Sequence, residues 1–547
     1  MHSLADGHDD IMASPSETSL ATAQEQLFEI ETMLQRPHHP RSHSADIKTM
    51  LTRPHLDNMR AISDRPQVYS RWTPRVSDEE VHPKKVDDFA ERAGSKSAGK
   101  HTHRTAYLDG LRGFAALLVY ILHNEVWARA DMRERGALEG AWGLSNYYAF
   151  TSFPGIRILF SGGHAAVPIF FVISGYVLAN KPLLKLQQGN VTSLAESLCS
   201  ALFRRWLRLY IPVMVCTLLW ATSWHVFGIS SSLGGSRRPE KTLLDEIWMW
   251  YCDFKNFSFL FNDGYDNAYN ANMWTIPLEF RGSIVVWSSI LALAQCSTTK
   301  RLLCELGLAW YFMYVVDAWY CSLFLAGALL CDIDLLTLNG QLPPVLARWL
   351  KLDRKWVLWL MFAAGLWLAS VPSLDQEAEM LRKQPGWYYL SFLKPQAAWD
   401  IRNFFRSIAA ILLMISIPRL SILRTFFESD FCQYLGKISF ALYLVHGPIL
   451  WSVGDRVYAA VGRIQPHHIG LIPGWINVFR FPGVGLMGLE FNFLAAQLIL
   501  LPLNLGTAEA VTTLVDGPGV DLVHALFLWA RKDTLDEDES RLQKRHA

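Results

Sequence analysis

The chain has 547 residues, 51% of them hydrophobic and 13% aromatic, with 51 Lys and Arg against 50 Asp and Glu. A net charge of +1, with no Lys/Arg cluster interleaved with aromatics, excludes a nucleic-acid-binding surface. The apolar residues come in blocks close to membrane-spanning length, and tryptophans such as Trp220, Trp224, Trp274, Trp356, Trp359 and Trp451 cluster near block ends, so the expected class is all-α: a polytopic bundle of helices in a lipid bilayer. The eight cysteines show no metal-ligand spacing and read as small buried hydrophobes.

Residues 1–104 are rich in His, Pro, Ser and mixed charge, a composition that cannot offset ordering entropy, and predict a disordered cytoplasmic tail. Within it IETMLQRPH (30–38) recurs as IKTMLTRPH (47–55), either a drifting tandem duplication or a docking motif for a partner. No cleavable signal precedes the first apolar block, so insertion is expected to rely on the first span as an internal signal. About ten spans are predicted, over 107–128, 164–184, 209–229, 276–295, 302–316, 318–333, 355–371, 401–418, 436–455 and 483–503. The region 302–333 reads either as a tight hairpin or as one kinked helix. The bundle domain is placed at 105–530 and a short charged cytoplasmic tail at 531–547. Lys181, Lys185, Arg204, Arg205 and Arg208 against Glu196 in the second connection, and Arg348, Lys351, Arg354 and Lys355 in the sixth, put both termini in the cytoplasm. Asn256, in Asn-Phe-Ser, would then be open to glycosylation and Asn190 would not.

The first span, YLDGLRGFAALLVYILHNEVWA at 107–128, carries Arg112 and His123 eleven residues apart. That is about 16 Å of helical rise and about 20° past three turns, so the two share a face, with Ala115, Ala116 and Val119 as a small-residue stripe between them. A narrow molecule could lie along that stripe, and charge buried in a lipid-embedded helix marks a functional site. Further polar interruptions follow. FFVISGY (170–176), after Gly162-Gly163-His164, is either a close-packing site or functional. RRWLRLYIP (204–212) brings three arginines to a proline-marked helix start, which suits interfacial anchoring or a polyanionic ligand. WTIPLEF (274–280) carries Glu279 a turn inside an apolar helix, paired with Arg281 or another span, or working in a reaction. LGKISFALYLVH (435–446) ends on His446, by itself a core histidine, and 514–518 reads as a turn.

In this order the six stretches resemble the acyltransferase 3 family of integral membrane acyltransferases, whose first helix bears LDGLRG and an Arg-x10-His pair, here Arg112 and His123. The resemblance covers about 105–520, and it departs from the pattern at Pro277 and at Asp516, where Glu is more frequent. It implies an O-acyltransferase, a eukaryotic and fungal member, that moves an acyl group, usually acetyl from acetyl-CoA, to a hydroxyl of a glycan or a lipophilic secondary metabolite. Arg112, Arg204, Arg205 and Arg208 would hold the acyl-CoA phosphates. His123 would act as general base or acyl carrier, Glu279 would orient it, and Ser174 and Tyr176 would donate to the oxyanion. No metal or permanent cofactor is called for, and the membrane would be endoplasmic reticulum, Golgi or plasma membrane. The competing reading is a transporter or channel whose buried Arg, His and Glu line a solute or proton path.

Overall fold

A computed structural model describes residues 104–129, 132–144, 147–229, 239–262, 266–349, 354–373 and 377–546. The N-terminal tail and its repeated motif lie outside the described residues. The long helices are α1 (Ala106–Trp127), α2 (Gly163–Gln187), α3 (Val191–Phe227), α4 (Leu243–Phe257), α5 (Thr275–Ala292), α6 (Thr298–Tyr314), α7 (Trp319–Leu338), α8 (Lys355–Ala369), α9 (Ile401–Ser416), α10 (Asp430–Ile449), α11 (Phe491–Val511) and α12 (Gly517–His546). The β structure among the described residues is one antiparallel two-residue ladder, Gly143–Leu144 with Tyr147–Tyr148.

Each predicted span has a helix on it, and five helices are long and apolar enough to cross a membrane: Gly163–Gln187, Val191–Phe227, Trp319–Leu338, Ile401–Arg419 and Phe491–Arg531. The others are shorter or less apolar. Two expectations need correction, and of the two readings of 302–333 the hairpin holds. The helix expected from 209 starts at Val191, where the Asn190 side chain accepts the Ser193 N–H as N-cap, and Pro212 lies inside it. The stretch 302–333 is a hairpin: α6 and α7 run antiparallel, with Ser322 Oγ donating to the Ala309 carbonyl and Arg301 paired with Asp332, and Asp317 turns the chain at φ 49°. Thr512–Asp516 forms a π-helical turn joining α11 to α12, not the open turn read from Gly517-Pro518.

The main core joins α1, α2, α5, α7 and α9 through Leu108, Phe171, Val172, Val286, Phe324 and Leu413. Gly175 of FFVISGY serves packing, since a Cβ there would lie 2.0 Å from the Phe324 carbonyl oxygen on α7. A second close contact, between α1 and α10, positions the site. The two helices run parallel: Arg112 donates to Ser439 and the Gly436 carbonyl at one end, and Trp127 Nε1 donates to Asp455 at the other. Contact is possible because Gly113 meets Gly436, and a Cβ on Gly113 would fall 2.1 Å from the Gly436 nitrogen. Around and beyond His123, polar groups tie α1 to the later chain: Tyr120 donates to Gln497, Gln497 to Tyr458 and Tyr458 to Asn124, while Arg129 bridges Glu125 and Glu490.

Gly113→Ala should therefore push α1 off α10, lowering stability by about 1–3 kcal/mol, read as a drop in the thermal midpoint of the detergent-solubilised protein. Gly307→Ala, inside α6 where a Cβ meets open space, should leave that midpoint unlowered or slightly raised.

Candidate active site

Ten residues beyond the glycine contact in both helices, about 15 Å further along, two histidines meet. His123 Nδ1 lies 2.8 Å from His446 Nε2, with the rings stacked at 4.9 Å between centroids and 3° between planes. The hydrogen-bond partners assign the protons. His446 Nδ1 is 3.1 Å from the Leu442 carbonyl, which can only accept, so His446 carries its proton there. Its Nε2 is then an acceptor, and takes a second contact from Asn272 Nδ2 at 3.2 Å. His123 must donate through Nδ1, which leaves His123 Nε2 as an unprotonated base.

His123 faces a narrow cleft of about 90 Å³, bordered by α1, α2, α9, α10 and the segment before α5. Val119, His164, Asn272, Trp274, Arg406 and Tyr443 are among its lining residues. Asn272 and Tyr443 are already engaged: the Tyr443 hydroxyl donates to the Asn272 carbonyl and lies 2.7 Å from Thr275 Oγ1. His164 Nε2 is 3.5 Å from the Glu139 carboxylate, an ion-pair distance. Burial opposes charge on Glu139, but His164, Arg135 and Arg157 outweigh it and hold the carboxyl below its ordinary range.

The residues expected from sequence fall into two groups. His123 is at the cleft and Arg112 at the other end of α1, bound to Asp109 at 3.1 Å as well as to α10. Glu279 was expected to orient His123, but its carboxylate is held by Arg205 at 2.9 Å and by Ser174 at 3.0 Å, and His446 fills the orienting position. Its partner is an arginine of another helix, not Arg281, which donates to the Leu260 and Asn262 carbonyls. Ser174 and Tyr176 were expected to face an oxyanion. Their hydroxyls donate instead to Glu279 and to Asp334.

The arginine cluster divides as well. Arg204 turns to α12, with its guanidinium 5.7 Å from the Phe527 ring centre, and Arg205 is committed to Glu279 and Ser283. Arg208 is exposed and makes no hydrogen bond or ion pair among the described residues; with Arg112 it lies within electrostatic reach of Asp516. The small-residue stripe is not an open path: Ala115 and Val119 pack on Ala166, Phe170 and Tyr443, and Ala116 belongs to a core with Ile438 and Leu442.

Sequence reasoning missed the role of His446 and did not single out Asn272, His164 or Arg406. The available signals were a histidine closing LGKISFALYLVH, an asparagine two residues before Trp274, and one arginine in the apolar run of α9. Asp455, His467 and His468 come within metal-ligand distance of one another just beyond α10. Here His468 Nδ1 accepts the Gln465 backbone N–H, so its Nε2 carries the proton and donates to Asp455 at 2.8 Å, a closed hydrogen-bonded set rather than a ligand set.

Removing one member of the Glu279–Arg205 pair strands a charge between helices, so Glu279→Leu should cost about 3–5 kcal/mol in unfolding measurements. The double change Glu279→Leu with Arg205→Met should recover most of that loss.

Comparison with known proteins gives the family. Residues 105–495 match the family model described as an acyltransferase domain. The O-acetyltransferase PaAT-1 of Phomopsis amygdali is 32% identical over 404 residues, covering 69% of this chain and 76% of the relative. The acyltransferase clz18 of Cochliobolus lunatus is 25% identical over 420 residues, 66% of this chain and 86% of the relative, and acyltransferase R4 of a Phoma species is 25% identical over 418 residues, 65% and 84%. No solved structure matches. With the family motifs on α1, α2, α3, α5 and α10, and with more than half its length matched, the chain belongs to the acyltransferase 3 family and is an O-acyltransferase.

Proposed function

We propose that the protein transfers an acetyl group from acetyl-CoA to a hydroxyl of a glycan or a lipophilic secondary metabolite, with His123 as general base. The observation that carries this reading is the histidine pair: His446 fixes the proton of His123 on Nδ1 and leaves Nε2 free at a cleft. The similarity to a protein named an O-acetyltransferase supports acetyl as the group transferred.

His123 Nε2 takes the proton of the acceptor hydroxyl as its oxygen adds to the thioester carbonyl carbon. The carbonyl π electrons move onto oxygen, and the tetrahedral intermediate collapses with loss of the coenzyme A thiolate. The imidazolium then returns its proton to that sulfur, which restores the base. Arg112 and Arg208, at the opposite end of α1, bind the coenzyme A phosphates by charge-assisted contacts, with Arg205 reserved for Glu279. The pantetheine arm spans the about 16 Å of helix between Arg112 and His123 by parting the half-buried Phe170 and Tyr443 rings that close the stripe. The arginine end of α1 faces the cytoplasm, where coenzyme A resides, and both termini lie on that side.

Full-length protein in lipid nanodiscs tests this. His123→Ala should lower acetyl transfer by about 10³-fold while coenzyme A affinity stays within about threefold, and turnover at the unsubstituted rate would sink the assignment. His446→Ala, which frees His123 to adopt the other tautomer, should lower turnover by about 10–100-fold without loss of coenzyme A binding. Arg208→Ala should weaken coenzyme A binding about tenfold, with an effect that shrinks as salt rises.

A further inference from the structure

The cleft that holds His123 also holds Arg406, which enters from α9 and is buried, at 6% exposure. Its hydrogen-bonding is incomplete. One terminal nitrogen donates to Ser373 Oγ at 3.2 Å, and Nε has no partner. Elsewhere in the bundle Arg129, Arg205, Arg301 and Arg402 each hold a carboxylate, at 2.5, 2.9, 2.8 and 2.7 Å. Arg406 holds none among the described residues, because the acids near it are engaged: Asp400 by Arg402, and Glu139 by His164. A buried guanidinium without a counter-ion is costly unless negative charge arrives during function.

Acyl transfer generates such charge in this cleft, on the former carbonyl oxygen. Four other polar side chains are already donating elsewhere: Ser174 and Tyr176 to carboxylates, Asn272 Nδ2 to His446, and the Tyr443 hydroxyl to a backbone carbonyl. His164 lines the cleft too, but as a histidine beside Glu139 it lacks the fixed positive charge of a guanidinium. We propose that Arg406 is the oxyanion-stabilising residue of the reaction, donating to the thioester oxygen as the acceptor adds and releasing it as coenzyme A thiolate departs. This rests on the acyl-CoA reading above. It explains an uncompensated cation in the same cleft as a base whose own partners are all satisfied. The stabilisation is greatest where the charge is greatest, so it lowers the barrier more than it tightens donor binding.

The test uses full-length protein in nanodiscs, with hydrolysis of acetyl-CoA as the rate and two ligands as binding probes: coenzyme A, and the trifluoromethyl ketone analogue of acetyl-CoA, which adds water to give a tetrahedral carbon. Arg406→Gln should lower the rate about 10²–10³-fold and weaken the ketone by about 10²-fold, while coenzyme A affinity stays within about threefold. Added guanidinium should restore part of the rate to Arg406→Ala. Retained coenzyme A binding shows that the variants are folded. Hydrolysis by Arg406→Gln within about threefold of the unsubstituted rate, or an equal loss of affinity for both probes, overturns the assignment of Arg406 alone. An unsubstituted protein that binds no coenzyme A overturns both this inference and the reading on which it rests.

Discussion

The site depends on the parallel contact between α1 and α10, made where neither helix has a side chain, at Gly113 and Gly436. Two helices that start in contact and run the same way keep equal heights, because each residue adds the same rise. His123 and His446, each ten residues past its glycine, therefore arrive at one level although they are 323 positions apart in the chain. Arg112 secures the near end through Ser439 and Gly436, and the Asn124, Glu125 and Arg129 contacts secure the far end. The histidine pair is held by packing at one end and buried polar links at the other.

The bundle treats its buried charges in two ways. Most are neutralised by a partner from another helix: Arg205 with Glu279 between α3 and α5, and Arg301 with Asp332 between α6 and α7. Those pairs join helices in the apolar interior, where a lone charge is expensive. Among the described residues, buried groups without a partner include the Glu305 carboxylate and Arg129 Nε as well, but three groups with bonding capacity left lie at the surface or at the cleft. Arg208 is exposed near Asp516, while His123 Nε2 and Arg406 Nε border or enter the cleft. The division separates charges that hold the fold from charges open to a ligand, and the type of residue does not reveal it.

This is why so much of the bundle, and only part of the site, was legible beforehand. Helix positions follow from apolar block length, which is local, so each predicted span carries a helix. Errors came where a local signal was ambiguous: Pro212 was read as a helix start although Asn190 caps the helix much earlier, and Gly517-Pro518 as a turn although a π-helical turn carries the chain through. Arg112 and His123 could be paired because eleven residues along one helix set their relation. Glu279, Ser174 and Tyr176 were assigned to the reaction because they are polar in apolar helices, a criterion that equally describes members of a structural ion pair.

By itself the sequence determined the class of molecule, the family, the acyl-transfer chemistry and the helix on which Arg112 and His123 share a face, since hydropathy, helical period and ordered motifs are properties of contiguous residues. The tertiary structure alone decided what each polar residue is bonded to. It made His446 the partner of His123, turned Glu279 toward Arg205, closed the stripe along α1 with Phe170 and Tyr443, and left Arg406 with no carboxylate among the described residues. Pairing between distant helices depends on which faces meet and at what height, and glycine contacts such as Gly113 with Gly436 set both through close packing that no single stretch of sequence contains.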